Sequence, residues 1–155
     1  MKYVMTQHSS PYSLILAEVM QSAGIRAFVG KLSMDISSRP SYVEASAEHS
    51  LFAATSFVEK CRSLVSHLPA HRRLIEPVIT PRFVPTCSDD LLERLGKLSE
   101  TESLRIQSHL AEAHDQVEWV RQERGVEDIE VFHRVCLTLF RPQHTGSEHI
   151  HSINF

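Results

Sequence analysis

Gly24-Ile25-Arg26-Ala27-Phe28-Val29-Gly30-Lys31-Leu32 is the stretch whose reading decides the fold. Its last eight residues are mostly apolar and follow directly on a glycine placed for a left-handed helix cap, so they read as a buried strand entered straight from a helix. Upstream, Ser10-Pro11 supplies an N-cap and a proline for the first helical position, and Tyr12, Ile15, Leu16, Val19 and Ala23 fall on one face. That spacing predicts a helix over 11–23, preceded by a short β-leaning run, Tyr3-Val4-Met5-Thr6. Downstream, Ser33 to Pro40 is a polar loop with Asp35 in it, and a second helix is expected over 46–67 with Leu51, Ala54, Val58, Cys61 and Val65 inward. Leu68-Pro69 ends it. Leu74 to Thr80 reads as the next strand, with Pro77 tolerable only at an edge or bulge because proline donates no ladder hydrogen bond. Thr80 to Cys87 is a rigid extended loop, each proline biasing its predecessor away from the helical region.

Ser88 then caps a third helix that carries Asp89 and Asp90 in its first turn and Leu91, Leu92, Leu95 and Leu98 inward. Leu104-Arg105-Ile106-Gln107-Ser108 is a fourth strand. Val117, Trp119 and Val120 mark a helix ending at Gly125, and Ile129, Val131, Phe132 and Val135 mark one more. Strands alternating with helices imply an α/β chain with a parallel sheet and right-handed crossovers. Two architectures satisfy this order: a small doubly wound sheet, or about four parallel βα units of an eight-stranded barrel, which needs roughly 250 residues to close. The sheet is unclosed in either case.

Composition narrows the function classes. The chain has 155 residues, 42% hydrophobic and 23% charged, and sixteen Lys plus Arg against nineteen Asp plus Glu give a net charge of -3. No basic run tracks a phosphate backbone, which argues against nucleic-acid binding. Cys61, Cys87 and Cys136 are far apart and form no C-x-x-C, so a structural zinc cluster or a disulfide framework is not indicated, and a reducing, cytoplasmic setting fits. No apolar stretch has the length of a membrane span or a signal peptide. None of the five glycines forms a phosphate-cradling loop.

The chemistry-bearing stretch is Gln107-Ser108-His109-Leu110-Ala111-Glu112. It places an imidazole and a carboxylate just past the end of a strand, where parallel α/β folds keep their ligand sites. A metal-bound water with a carboxylate relaying protons is one use of such a pair. A hydrogen-bonded core histidine beside a first-turn carboxylate is the other, and the spacing alone leaves both open.

Three motifs in register decide more. Arg26 to Lys31 with Met34-Asp35, Thr80-Pro81-Arg82-Phe83 with Cys87-Ser88, and Gln107-Ser108-His109 with Glu112 together closely resemble the guanine deaminases, a family of zinc-dependent amidohydrolases, over roughly residues 3–138. The resemblance implies a portion of a TIM-like eight-stranded barrel, strands two to five, as an internal segment of the family's chain. It implies hydrolysis of guanine to xanthine and ammonia, with zinc as cofactor and guanine as small-molecule substrate. On the matching positions, His109 corresponds to a zinc ligand, Glu112 to the catalytic proton shuttle, and Arg82 and Phe83 to the residues that grip the purine. Those types suit the tasks: a guanidinium offers a rigid fork of donors, and an aromatic face packs on a flat heterocycle.

The departures are equally informative. A catalytic zinc needs about three protein ligands, and this chain matches one. The family's His-x-His pair precedes the segment, and its later histidine and aspartate follow it, so the chain alone is expected to be inactive. The match fades around Leu137 to Phe140, which implies a barrel portion over 1–138 and a divergent, disordered tail over 139–155. His149-Ile150-His151 in that tail is read as a chance pair, because no buried apolar strand precedes it, and His8 and the other histidines as solvated side chains. Cys87 would be acidified if exposed beside the Ser88 cap, and no base is matched to it. The alternative function is a non-catalytic α/β module that associates with another copy or a full-length relative through its open sheet edges and apolar inner face.

Overall fold

A computed structural model describes residues 2–6, 10–36, 38 and 40–135. Strand β1 spans Lys2–Thr6 and helix α1 spans Ser10–Ser22, after which Gly24 at φ +72° turns the chain into strand β2, Ala27–Ser33. Every residue of β2 is buried. Helix α2 covers Ala47–Ser66, opened by Ser46, whose side chain accepts from the His49 N–H. Strands β3, Ile75–Pro77, and β4, Thr80–Pro81, lead into helix α3, Asp89–Glu102, capped by Ser88 accepting from the Leu91 N–H. Helices α4, His114–Arg124, and α5, Asp128–Val135, follow, with Gly125 at φ +67° closing α4. All strand pairings are parallel, in the order β1-β2-β3, and β4 pairs with the end of β2 at Leu32 and Ser33. The architecture is thus α/β with an open parallel sheet, as the alternation of elements required. No helix among the described residues is long and apolar enough to cross a membrane.

The expected strand over 74–80 is split, and the expected fourth strand over 104–108 is a single bridge, Ile79 to Ile106. Prolines account for both corrections. Pro77 pairs opposite Val29 without a donor, and β2 bonding resumes through the Val78 N–H to the Val29 carbonyl at 3.0 Å. On the far side, Ile79 donates to the Arg105 carbonyl at 2.9 Å and accepts from the Gln107 N–H at 3.0 Å, a regular parallel step. The next donor in that ladder would be residue 81, a proline, so the pairing stops after one rung.

One side of the sheet carries the core. Ala27, Val29, Ile75 and Ile79 pack with Ala54, Phe57, Val58, Cys61 and Val65 of α2 and with Leu91, Leu92 and Leu95 of α3. The α2 and α3 stripes therefore match the expected ones. In α1 the apolar face made by Tyr12, Ile15 and Val19 is exposed, at 66%, 55% and 57%, and the buried residues are Ser13 and Ala17. The helix approaches its neighbours through these small side chains, with Leu14 and Met20 partly buried against the core, and leaves Tyr12, Ile15 and Val19 outside.

On the other side, Phe28, Leu32 and Val78 are buried although they stand outside the helix-facing cluster, so the inner face is not the open apolar surface expected of an unclosed sheet. Gly30 lies between Phe28 and Leu32 on this face, by strand alternation. A Cβ at Gly30 would run into the Thr80 Oγ1, which the Gln107 Nε2–H holds at 3.0 Å, and would press on the Val78 carbonyl. Gly30→Ala is therefore expected to lower unfolding stability in urea by about 1–3 kcal/mol through overpacking. An unchanged midpoint would show that the sheet has slack there.

Candidate active site

The ends of β4 and of the 105–109 segment meet at one backbone atom. The Arg82 carbonyl accepts from the His109 N–H at 3.0 Å and the Ser108 Oγ–H at 3.1 Å, and the His109 Nδ1 lies 2.9 Å from it. A carbonyl can only accept, so Nδ1 is assigned the proton, which leaves the Nε2 lone pair uncommitted among the described residues. The Phe83 ring meets the imidazole edge to face, centroids 6.5 Å apart at 71°. The Arg82 guanidinium carbon stands 5.0 Å from the Phe83 centroid, and its Nη1 lies 3.7 Å from the Met34 Sδ. Arg82, Phe83 and His109 are all half-buried. Three of the four residues singled out in the sequence are thus brought together, with a donor fork, an aromatic face and an imidazole on one rim.

Glu112 stands differently. Glu112 is exposed, and no ion pair joins it to His109 among the described residues. Its backbone is what the fold controls. Ala111 adopts φ +46°, in the left-handed region that costs a residue with a Cβ about 1 kcal/mol. The Ala111 N–H donates to the Asp128 Oδ2 at 3.2 Å, the Glu112 N–H to the Gln116 Oε1 at 3.3 Å, and the Gln116 Nε2–H joins the two by donating to the same Asp128 oxygen at 3.1 Å. Asp128 is 4% exposed and its Oδ1 has no partner among the described residues. Sequence reading missed both residues, since a polar side chain in the first turn of a surface helix looks solvated.

A second buried network sits behind Arg82. Lys31, 3% exposed in the middle of β2, is ion-paired to Glu44. Glu44 also accepts from the Ser50 hydroxyl and from the Met34 N–H at 3.3 Å, and its own N–H donates to the Met34 carbonyl at 3.0 Å. Burial pushes the Lys31 ammonium below its ordinary pKa, and Glu44 opposes that shift. The pair clamps Met34, whose sulfur touches Arg82. A lysine inside an apolar strand needs a partner carboxylate, and that need was the available signal for Glu44.

Asp35 turns out to be a capping residue: its two oxygens accept from the Ser88 N–H at 2.8 Å and the Ser88 Oγ–H at 2.5 Å. Cys87 is fully buried, and burial pushes its thiol up to about 12, so the condition for an acidified thiol is not met. His8, Cys136 and the His149-Ile150-His151 pair, with the 138/139 boundary, lie outside the described residues.

His109 offers one free imidazole nitrogen, and no group of three or more His, Cys, Asp or Glu side chains able to hold a metal occurs among the described residues. One imidazole does not meet a three-ligand requirement, and no step through a metal is derived for these residues.

The Asp128 network has a pH signature. Burial raises the Asp128 carboxyl pKa above the ordinary carboxylate value, with the Ala111 and Gln116 N–H groups opposing and Glu127 adding to the shift. A folded-state pKa above the unfolded one means the folded state binds more protons in that window. The contribution is fully present below the ordinary carboxylate pKa and is lost as pH rises through the raised value. Urea unfolding of the wild type is expected to show this loss, and Asp128→Asn, which retains an acceptor for Ala111, should flatten it. Identical pH profiles for the two proteins would refute the assignment.

The description "Amidohydrolase family" matches residues 3–149. A curated relative from Schizosaccharomyces pombe, named "Probable guanine deaminase", is 41% identical over 120 residues, covering 77% of this chain and 22% of that protein. The chain spans about a quarter of the length of the curated relatives it matches. Among solved structures, guanine deaminase from C. acetobutylicum, with guanine bound in its active site, superposes with a TM-score of 0.76 at 29% identity, covering 87% of this chain and 31% of that one. An adenosine deaminase from Xanthomonas campestris, solved with bound zinc, superposes at a TM-score of 0.65 and 18% identity over 87% of this chain and 28% of that one, a likeness of fold. The open sheet, the strand-end cluster and these matches agree: the chain belongs to the amidohydrolase family.

Proposed function

We propose that this chain carries the guanine-gripping part of a guanine deaminase, acting in hydrolysis of guanine to xanthine and ammonia in the cytoplasm. The observation that carries the reading is the shared Arg82 carbonyl, which holds the imidazole of His109 beside Phe83 and Arg82. In this reading the Arg82 fork donates to the purine's oxygen and ring nitrogen, and the Phe83 ring packs on the heterocycle. In the longer family protein His109 would be one of the residues holding the zinc, through Nε2, and Glu112 would carry protons to the ring and the departing amine. The relatives named for guanine deamination and the guanine-bound structure support the substrate choice.

With one ligand of the metal site on hand, the 155-residue chain by itself is expected not to form xanthine from guanine with added zinc. It should still respond to guanine: NMR shifts at Phe83 and His109 are expected on titration, and Arg82→Ala should remove them while leaving the fold intact. Xanthine formation that His109→Ala abolishes would overturn the first expectation, and silence of both rings would overturn the second.

A second reading, association with another copy or with a longer relative, is favoured by one finding. Tyr12, Ile15 and Val19 form an exposed apolar face on α1, the helix that follows edge strand β1. Light scattering during size-exclusion chromatography is expected to give a mass above 17.6 kDa that falls to the monomer on Ile15→Lys. A monomer for the wild-type chain at all concentrations would refute this second reading.

A further inference from the structure

Far from the strand-end cluster, at the opposite end of the sheet, arginine recurs where the chain enters successive strands. Arg26 precedes Ala27 of β2, Arg73 stands two residues before Ile75 of β3, and Arg105 precedes Ile106 of the bridged segment. Because the strands are parallel and Ala27 pairs with Ile75, these entries lie side by side. Arg62, near the end of α2, joins them. The four guanidiniums line one cavity of about 700 Å³, a volume ordinary for a small-molecule site, together with Ala70, Ser103 and a single carboxylate, Glu76.

Three of the four forks are fixed by bonds that use only part of their donor capacity. Arg62 spends Nη1 and Nη2 on the Glu102 carboxylate and carbonyl, at 2.5 and 2.8 Å. Arg73 spends Nε and Nη2 on the Leu68 and Ser66 carbonyls, at 2.8 and 3.0 Å, and keeps Nη1. Arg105 lies 4.5 Å over the Phe28 ring and spends Nη1 on Glu76 at 2.9 Å, keeping Nε and Nη2. Arg26 has no partner among the described residues. Two carboxylates against four guanidiniums leave a local positive excess on a chain whose net charge is -3. Forks held in advance lose little freedom on binding an oxyanion, and a tetrahedral dianion offers several oxygens to several forks at once.

We propose that this cleft binds the phosphate group of a small ligand, either free phosphate or a phosphate monoester. The assignment is independent of the guanine reading, because no residue of that cluster takes part.

The test is titration of the 155-residue chain with inorganic phosphate and, separately, with phenyl phosphate, at ionic strength held constant with sodium chloride. Binding is read by calorimetry and by the thermal unfolding midpoint. Saturable binding and a rising midpoint are expected for both probes, with phenyl phosphate tighter if the natural ligand is an ester and equal affinity if free phosphate is what the cleft holds. Arg26→Gln, at an exposed position with no fold-holding bond, should weaken binding roughly tenfold or more, and Arg26→Lys should restore only part of it. Arg105→Gln should weaken it further. A response matched by sodium chloride alone, or unchanged affinity in Arg26→Gln, would overturn the proposal.

Discussion

The Arg82 carbonyl is the point on which the strand-end cluster depends. In a regular parallel ladder, acceptors and donors alternate evenly, and every backbone group is spoken for. Here Pro81 withdraws a donor at the last rung, and the 105–109 segment shifts its next bond to the Arg82 oxygen. That oxygen then takes the His109 amide, the Ser108 hydroxyl and the His109 ring nitrogen. The irregularity is what turns the imidazole toward Phe83 instead of letting it continue the pleat. A site built this way inherits its precision from the sheet and its geometry from a missing hydrogen.

Behind that point, two buried polar networks do related work on the loops. Lys31 and Glu44 clamp Met34 against Arg82, while Gln116 and Asp128 hold Ala111 in a left-handed bend just before Glu112. Burying such groups is costly unless each finds partners, and removing one partner leaves the other stranded. Both networks tie a loop to an element that neighbours it in sequence: Glu44 to Lys31 of β2 and Ser50 of α2, and Asp128 of α5 to Gln116 of α4 and to the Ala111 backbone. The unpartnered Asp128 Oδ1 shows that the second network is incompletely satisfied among the described residues.

Much of the fold was legible in the sequence because its signals were local. Gly24 and Gly125 sit at the left-handed turns their residue type suggested, Ser88 caps α3, and the leucines of α3 face the core. What was not legible depended on pairing between segments. The interruption at Pro77 could be anticipated, but the loss of the fourth strand required knowing that Pro81 would face it. In α1 an apolar periodicity was present and lay outside, because Ser13 and Ala17 make the close approach. At the strand ends, Arg82, Phe83 and His109 were singled out through the family resemblance and the structure brings them together, whereas Asp128 and Gln116 were missed because burial of a first-turn polar side chain leaves no periodic trace.

The two described cysteines add a practical consequence. Cys61 and Cys87 are both fully enclosed, and burial pushes each thiol up to about 12. At neutral pH the nucleophilic thiolate is scarce in the native state, and reagent has no route to either sulfur. Alkylation then waits on opening events, Cys61 reporting on α2 and Cys87 on the turn before α3. The ratio of their labelling rates would measure whether the helical layer and the strand-end loops loosen together or separately.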